Sequence, residues 1–390
     1  MKRIYITYVV TLALLITLQA CNKENKTVSF SENTSISLRW VKAYENETKD
    51  KVEKGLRWTL LFLGASLDEG SYEKSVKWID ERKLVIDFSA LGFSESSLAA
   101  LKKIIAVMKQ SGEYRQKGAF DIGRFVMLTV NSPMNYYAIT SAPKTYSEFR
   151  GRLSIDAKQT AVIESNIAKG QRIIETPPAD EKELVKTGYI SSEGTGSLKD
   201  GTFKIAEREV FDHMPNGMFR FMIYDEAGNL KAAGDTTFGG AGKPSKCIWC
   251  HEIAMQPPYT MKTTINGYYS PKEFSDIVNN HTELLKRYRK SIKQDISYNE
   301  TQEHTFEELL YISFMEPSAY RLANEWGITI DEAKSKLAKY ATHTHQEFPY
   351  LGTLYDRNEI DVLSPYEFLR VPNSAREPSE YEPNLNRNPD

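Results

Sequence analysis

Cys247, Cys250 and His251 are the residues of this chain whose types and spacing most directly imply chemistry. Two thiols three apart, followed at once by an imidazole, is the spacing that attaches haem covalently. The thiols add across the two vinyl groups and the histidine meets the iron on one axial face. The far face then takes Met, His or no protein ligand, and that choice separates electron transfer from ligand binding and catalysis. The expected cofactor is one covalent haem c held by Cys247, Cys250 and His251, with His251 as an iron ligand.

Other uses of the two thiols fit less well. A zinc site wants a second ligand pair, and the only other cysteine, Cys21, sits near the N-terminus. A redox dithiol belongs at a strand-to-helix turn of a βαβ unit. Here the motif follows the glycine-rich run Phe238-Gly239-Gly240-Ala241-Gly242-Lys243-Pro244, a composition that lets backbone pass close to a flat macrocycle. For the sixth iron ligand the sequence offers Met315, just before Pro317, and His281, in an amphipathic run. Met255, Met261, Met214, Met218 and Met222 are further candidates, and an open position is the remaining choice. Met255 lies too close to His251 along a helix to cross the haem plane.

Cys21 also has a chemical reading. Lys2 and Arg3 precede the apolar run from Val9 to Leu18, which is short for a membrane span. Leu18-Gln19-Ala20-Cys21 then resembles the lipobox of bacterial lipoproteins. The resemblance implies a signal peptide over 1–20, lipidation of Cys21, and a polar tether over 21–36. The chain would then be exported and lipid-anchored to a bacterial membrane, facing the periplasm or the cell surface. Several acyl chains on one residue hold a protein stably at a membrane. A plain secretory signal or an uncleaved anchor is the alternative reading. Export and haem agree, because covalent haem attachment in bacteria takes place outside the cytoplasmic membrane.

The elements that must position the motif read as an α+β protein. Residues 37–170 form a mixed α/β region of unassigned role. Val52, Leu56, Leu60, Leu63 and Leu67 recur at helical spacing. Leu84–Phe88 reads as a strand, and Leu98 to Met108 as a helix capped by Ser94 or Ser96. Arg124–Val130 and Tyr136–Thr140 read as strands about a turn, and Ala157–Ala168 as a helix. Residues 171–265 form a β-rich haem-bearing segment, with a strand over Met218–Tyr224 turning at Asp225–Asn229. Residues 266–373 form a helical region with capping boxes at Ser270/Glu273 and Thr329/Glu332. Residues 374–390 read as a flexible tail, and His343 and His345 as surface histidines.

A haem motif that follows strands resembles the layout of the β-sheet monohaem cytochromes of the cytochrome c-prime-beta kind. That resemblance covers roughly 90 residues and implies a haem seated beside a sheet.

Of 390 residues, 41% are apolar and 26% charged, with a net charge of -2, so no nucleic-acid partner is expected. The reading is a membrane-tethered monohaem c-type cytochrome that passes single electrons to a redox partner outside the cytoplasm. A haem enzyme or nitrogen-oxide or gas binder with an open distal face, and a redox-sensing subunit, are the alternatives. No catalytic residue is named.

Overall fold

Two kinds of apolar pattern divide the chain between helices and sheets. The computed structural model describes residues 30–156, 158–163, 169–178, 183–251, 264–298 and 303–387. Cys21, Met255 and Met261 lie outside these. Within the unit Glu32–Asp390, two separate sheets are packed with helices, which makes the fold α+β. Among the described residues no helix is long and apolar enough to cross a membrane.

The first sheet joins β1 (Ser35–Arg39), β2 (Val76–Trp78), β3 (Lys83–Asp87) and β4 (Phe120–Asp121) in the order β2-β3-β1-β4. Helix α1 (Lys49–Phe62) begins where the Thr48 side chain accepts the Lys51 N–H. It buries Val52, Leu56 and Leu60, the helical-period residues of the sequence. Helix α2 (Glu95–Lys109) is capped by Ser94 and buries Leu101, Ile104, Ile105 and Met108.

The two runs read as strands over 124–140 are helices, α3 (Ile122–Thr129) and α4 (Pro133–Ile139). The Asp121 carboxylate accepts the Gly123 and Arg124 N–H groups and starts α3, and Pro133 takes the first position of α4. Every residue of α3 is buried, so no polar face interrupts its apolar run. A short apolar run of that kind reads equally as a buried strand.

The second sheet is an antiparallel meander of β5 (Gln159–Val162), β6 (Arg172–Glu175), β7 (Gly188–Thr195), β8 (Lys204–His213) and β9 (Phe219–Asp225). Its first strand lies inside the run expected as a helix over Ala157–Ala168. Thr160 and Val162 are β-branched and pair with Ile174 and Arg172, so sheet pairing overrides the weak helical pattern. The sheet therefore starts before residue 171.

After the sheet come α5 (Pro244–His251), α6 (Pro271–Ser291), α7 (Thr305–Met315), α8 (Ala319–Trp326) and α9 (Ile330–Leu337). Both capping boxes form, at Ser270/Glu273 and Thr329/Glu332. Residues 374–387 carry no helix or strand, yet they strap the start of α5. The Lys243 N–H donates to the Arg376 carbonyl at 3.0 Å, and Lys243 Nζ donates to the Ser374 carbonyl at 2.6 Å and pairs with Glu382. Ser245 Oγ donates to the Ala375 carbonyl. Gly242 is required beneath this strap, because a Cβ there would stand 2.3 Å from the Arg376 carbonyl oxygen.

Candidate haem-attachment site

Strand register builds the floor of the site. Side chains alternate along a strand, so residues paired across the ladder share a face. Tyr189 pairs with Phe211 and Phe211 with Phe221; His213 pairs with Phe219. One end of the face is therefore aromatic, with ring centroids 5.0 Å apart for Tyr189 and Phe211, and 5.2 and 5.4 Å from Phe211 to Phe219 and Phe221. The same register pairs Glu193 with Glu207 and places Glu209 on the same face two residues along. The other end of the face is thus acidic.

Helix α5 packs on β9 and carries all three motif residues. His251 lies against the aromatic end, its ring 5.4 Å from Phe211 and 5.6 Å from Phe221. Burial lowers its imidazole to about 4, so the ring is neutral and keeps a lone pair for a metal. Among the described residues its buried Nδ1 has no hydrogen-bond partner. Cys247 and Cys250 form no disulfide. Burial, then the nearby Glu209 charge, pushes the Cys247 thiol well above its ordinary range. That is opposite to the low-pKa thiolate that a redox dithiol exposes.

The acidic end was not found by sequence reasoning. Glu193, Glu207 and Glu209 offer oxygens within 4.8 Å of one another. Arg172 faces Glu193 at 2.5 Å and Lys231 faces Glu207 at 2.6 Å, while the Asp235 N–H donates to Glu207 at 3.0 Å. Burial, then the Glu193 charge, holds Glu209 well above the usual carboxylate range. A proton kept on Glu209 balances three carboxyl groups against two cations. The glycine run closes over the group: a Cβ at Gly239 would meet Glu193 Oε2 at 2.8 Å. The signal available in the sequence is the period-two series Glu207, Glu209, Phe211, His213 ahead of the hairpin.

Tyr136 and Tyr137, on α4, cap the free edge of the sheet. Their hydroxyls accept the Phe221 and Ile223 N–H groups at 3.2 and 3.3 Å, so the phenols replace a sixth strand beside Cys247.

The candidate sixth ligands are dispersed. Met315 ends α7, whose residues facing α5 are Glu307, Glu308 and Tyr311. His281 is buried, with Nδ1 2.5 Å from the Tyr189 hydroxyl and Nε2 3.2 Å from the Pro178 carbonyl. Met218 Sδ accepts from Tyr298, and Met222 Sδ from Tyr224, both at 3.7 Å. Met214 Sδ is set against Gly64.

Comparison of the chain with protein-family models, with curated proteins and with solved structures gave no match.

Proposed function

We propose that this protein is an exported, lipid-anchored monohaem c-type cytochrome that exchanges single electrons outside the cytoplasm. The observation that carries the reading is one short helix presenting Cys247, Cys250 and a neutral, half-buried His251 against an aromatic sheet face. The donor set fits the group: two thiols kept out of a disulfide, and an imidazole with a buried nitrogen lacking a partner among the described residues. Haem bound there supplies a one-electron Fe(III)/Fe(II) couple. Phe211 and Phe221 pack against the His251 ring and shield one side of it from water. Lipid on Cys21 keeps the domain near membrane redox partners.

A second reading, an open distal face that binds nitric oxide or another small gas, is favoured by one observation. His281 has both ring nitrogens in hydrogen bonds, and Met218 and Met222 have their sulfurs on other partners.

Haem stain that survives denaturing electrophoresis, and is lost when Cys247→Ser and Cys250→Ser are combined, tests the attachment. Its absence in the wild type ends both readings. Optical and EPR spectra of the holo-protein, with and without CO or NO, then separate the two. Low-spin iron indifferent to CO selects electron transfer, and high-spin iron that binds CO at once selects the gas-binding site.

A further inference from the structure

Beneath the attachment helix lies a second polar site. Trp249, between the two cysteines, faces α7 across a cavity of about 10 Å³, lined also by Asn131, Glu307 and Tyr311. That volume holds about one water molecule. Asn131 is 0% exposed and neither atom of its amide has a partner; Glu307 is 3% exposed and its Oε1 has none. A buried amide wants both a donor and an acceptor, and a water supplies both, whereas a cation would satisfy the carbonyl oxygen alone.

The charges around the cavity are unequal. Glu308 and Tyr311 face it from α7, His304 from just before that helix, and Arg376 reaches it from the C-terminal strap. Arg376 Nη2 is 3.5 Å from Glu308 Oε2, Nε donates to the Tyr311 hydroxyl at 2.8 Å, and the guanidinium lies 4.2 Å over the Trp249 ring. Arg376 Nη1 also lies 3.4 Å from Glu347 Oε2, so one guanidinium faces Glu307, Glu308 and Glu347 and leaves negative charge for a proton to neutralise. Burial, then the Glu308 charge, acts in that direction on Glu307.

We propose that this cavity is a proton-loading site coupled to haem reduction, in which Asn131 and Glu307 hold one water and Glu307 accepts a proton as the iron accepts an electron. The inference rests on the covalent-haem reading above. A one-electron protein donor is oxidised, Fe(III) becomes Fe(II), and a proton from solvent forms an O–H bond on the Glu307 carboxylate. The added electron raises the cost of a second negative charge in a medium of low dielectric, and the proton offsets it.

The test is the pH dependence of the haem midpoint potential in the full-length holo-protein, with redox-difference infrared spectra of the same sample. In the wild type the potential falls with pH, by up to about 59 mV per unit for one proton per electron. A carboxylic C=O band grows on reduction. In Glu307→Gln the slope flattens and the band is lost. Asn131→Leu fills the cavity and moves the pH at which the slope begins, with Glu307 still present. A flat wild-type potential overturns the proposal without any variant. So does a slope that survives in Glu307→Gln and vanishes in Glu209→Gln, which would place the proton beside Cys247 instead. In both cases covalent haem is still present; a wild type without haem stain overturns the underlying reading as well.

Discussion

Arg39, Glu113, Arg124, Asp361, Arg357, Glu325, Arg321 and Asp121 form an alternating buried chain of four cations and four carboxylates. The Asp121 N–H donates to Glu113 at 3.0 Å and closes the chain into a ring from which Arg39 branches at Glu113. On the five-stranded sheet, the cations that Glu193, Glu207 and Glu209 meet among the described residues are Arg172 and Lys231. The first is densely hydrogen-bonded, whereas in the second both Glu193 oxygens and Glu209 Oε1 are buried with no hydrogen-bond partner among the described residues. The first gives each carboxylate a guanidinium partner: burial opposes the charge on Glu325, yet Arg357 and Arg321 hold it far below the usual carboxylate range, whereas at Glu113 burial outweighs Arg124 and raises the carboxyl. The second is one cation short and retains a proton. A balanced cluster gives the fold a fixed point, and an acid-heavy one beside Cys247 gives the site a group that titrates.

The balanced ring supports the largest effect. Arg357 Nε donates to the Phe314 carbonyl at 2.8 Å, and its Nη atoms donate to Glu325 at 2.8 Å and to Asp361 at 3.0 Å. Its guanidinium stands 4.1 Å from the Phe314 ring centroid, beside those of Arg124 and Arg321. Arg357→Met keeps the stem and strips Glu325 of its main counter-charge. We expect a loss of about 3–5 kcal/mol, read by denaturant unfolding. A loss below about 1 kcal/mol would show that the ring is not what holds these elements together.

The acid-heavy cluster supports a smaller effect, of opposite sign in pH. Glu325 titrates lower in the folded state than unfolded, so its contribution is present above the unfolded carboxylate range and is lost as pH falls. Glu209 titrates higher when folded, so its contribution is complete below the unfolded value and is lost as pH rises toward the folded one. Glu209→Gln cannot lose a proton. Wild-type stability should therefore decline relative to Glu209→Gln, by at most about 1.4 kcal/mol per pH unit above the unfolded carboxylate value. Thermal melts of the two proteins at stepped pH measure the gap. A gap that stays constant from acid to neutral pH would mean that Glu209 titrates alike in the folded and unfolded states.

What the sequence revealed follows from how local each feature is. That Cys247, Cys250 and His251 belong together was legible because their spacing spans about one helical turn and one helix carries all three, and the boxes at Ser270 and Thr329 because capping closes within four residues. The α+β class was legible from alternating and helical runs, Leu84–Phe88 and Leu98–Met108 among them. Phe125 to Leu128 were misread because a helix buried on every side has no polar stripe to mark its period. The Glu193–Glu207–Glu209 group was invisible because it depends on the β7–β8 register, and the approach of Asn131 to Glu307 because it depends on how α3 and α7 pack. The sixth ligand stayed open for a different reason: methionine reads alike as core filler and as ligand.

The smallest effect belongs to the His-Thr-His pair. His343 Nε2 lies 2.8 Å from Glu316 Oε2, and His345 Nε2 3.8 Å from Glu316 Oε1, so two imidazoles and a carboxylate do meet at the surface. The hydrogen-bond pattern assigns the tautomer of His345 against a metal. Its Nδ1 accepts the Glu347 and Phe348 N–H groups at 3.2 and 3.3 Å, which leaves the proton on Nε2, the nitrogen facing Glu316. A metal would need that nitrogen's lone pair. His343 is well exposed, and an exposed pair of this kind contributes about 0.2–1 kcal/mol. His343→Ala should therefore change stability by less than about 1 kcal/mol, and Zn2+ or Ni2+ should raise the melting temperature of neither wild type nor variant. A zinc-dependent rise in the wild type alone would move these histidines from the solvated surface to a metal site. It would also show that the ring of His345 turns over to release its bonds to Glu347 and Phe348.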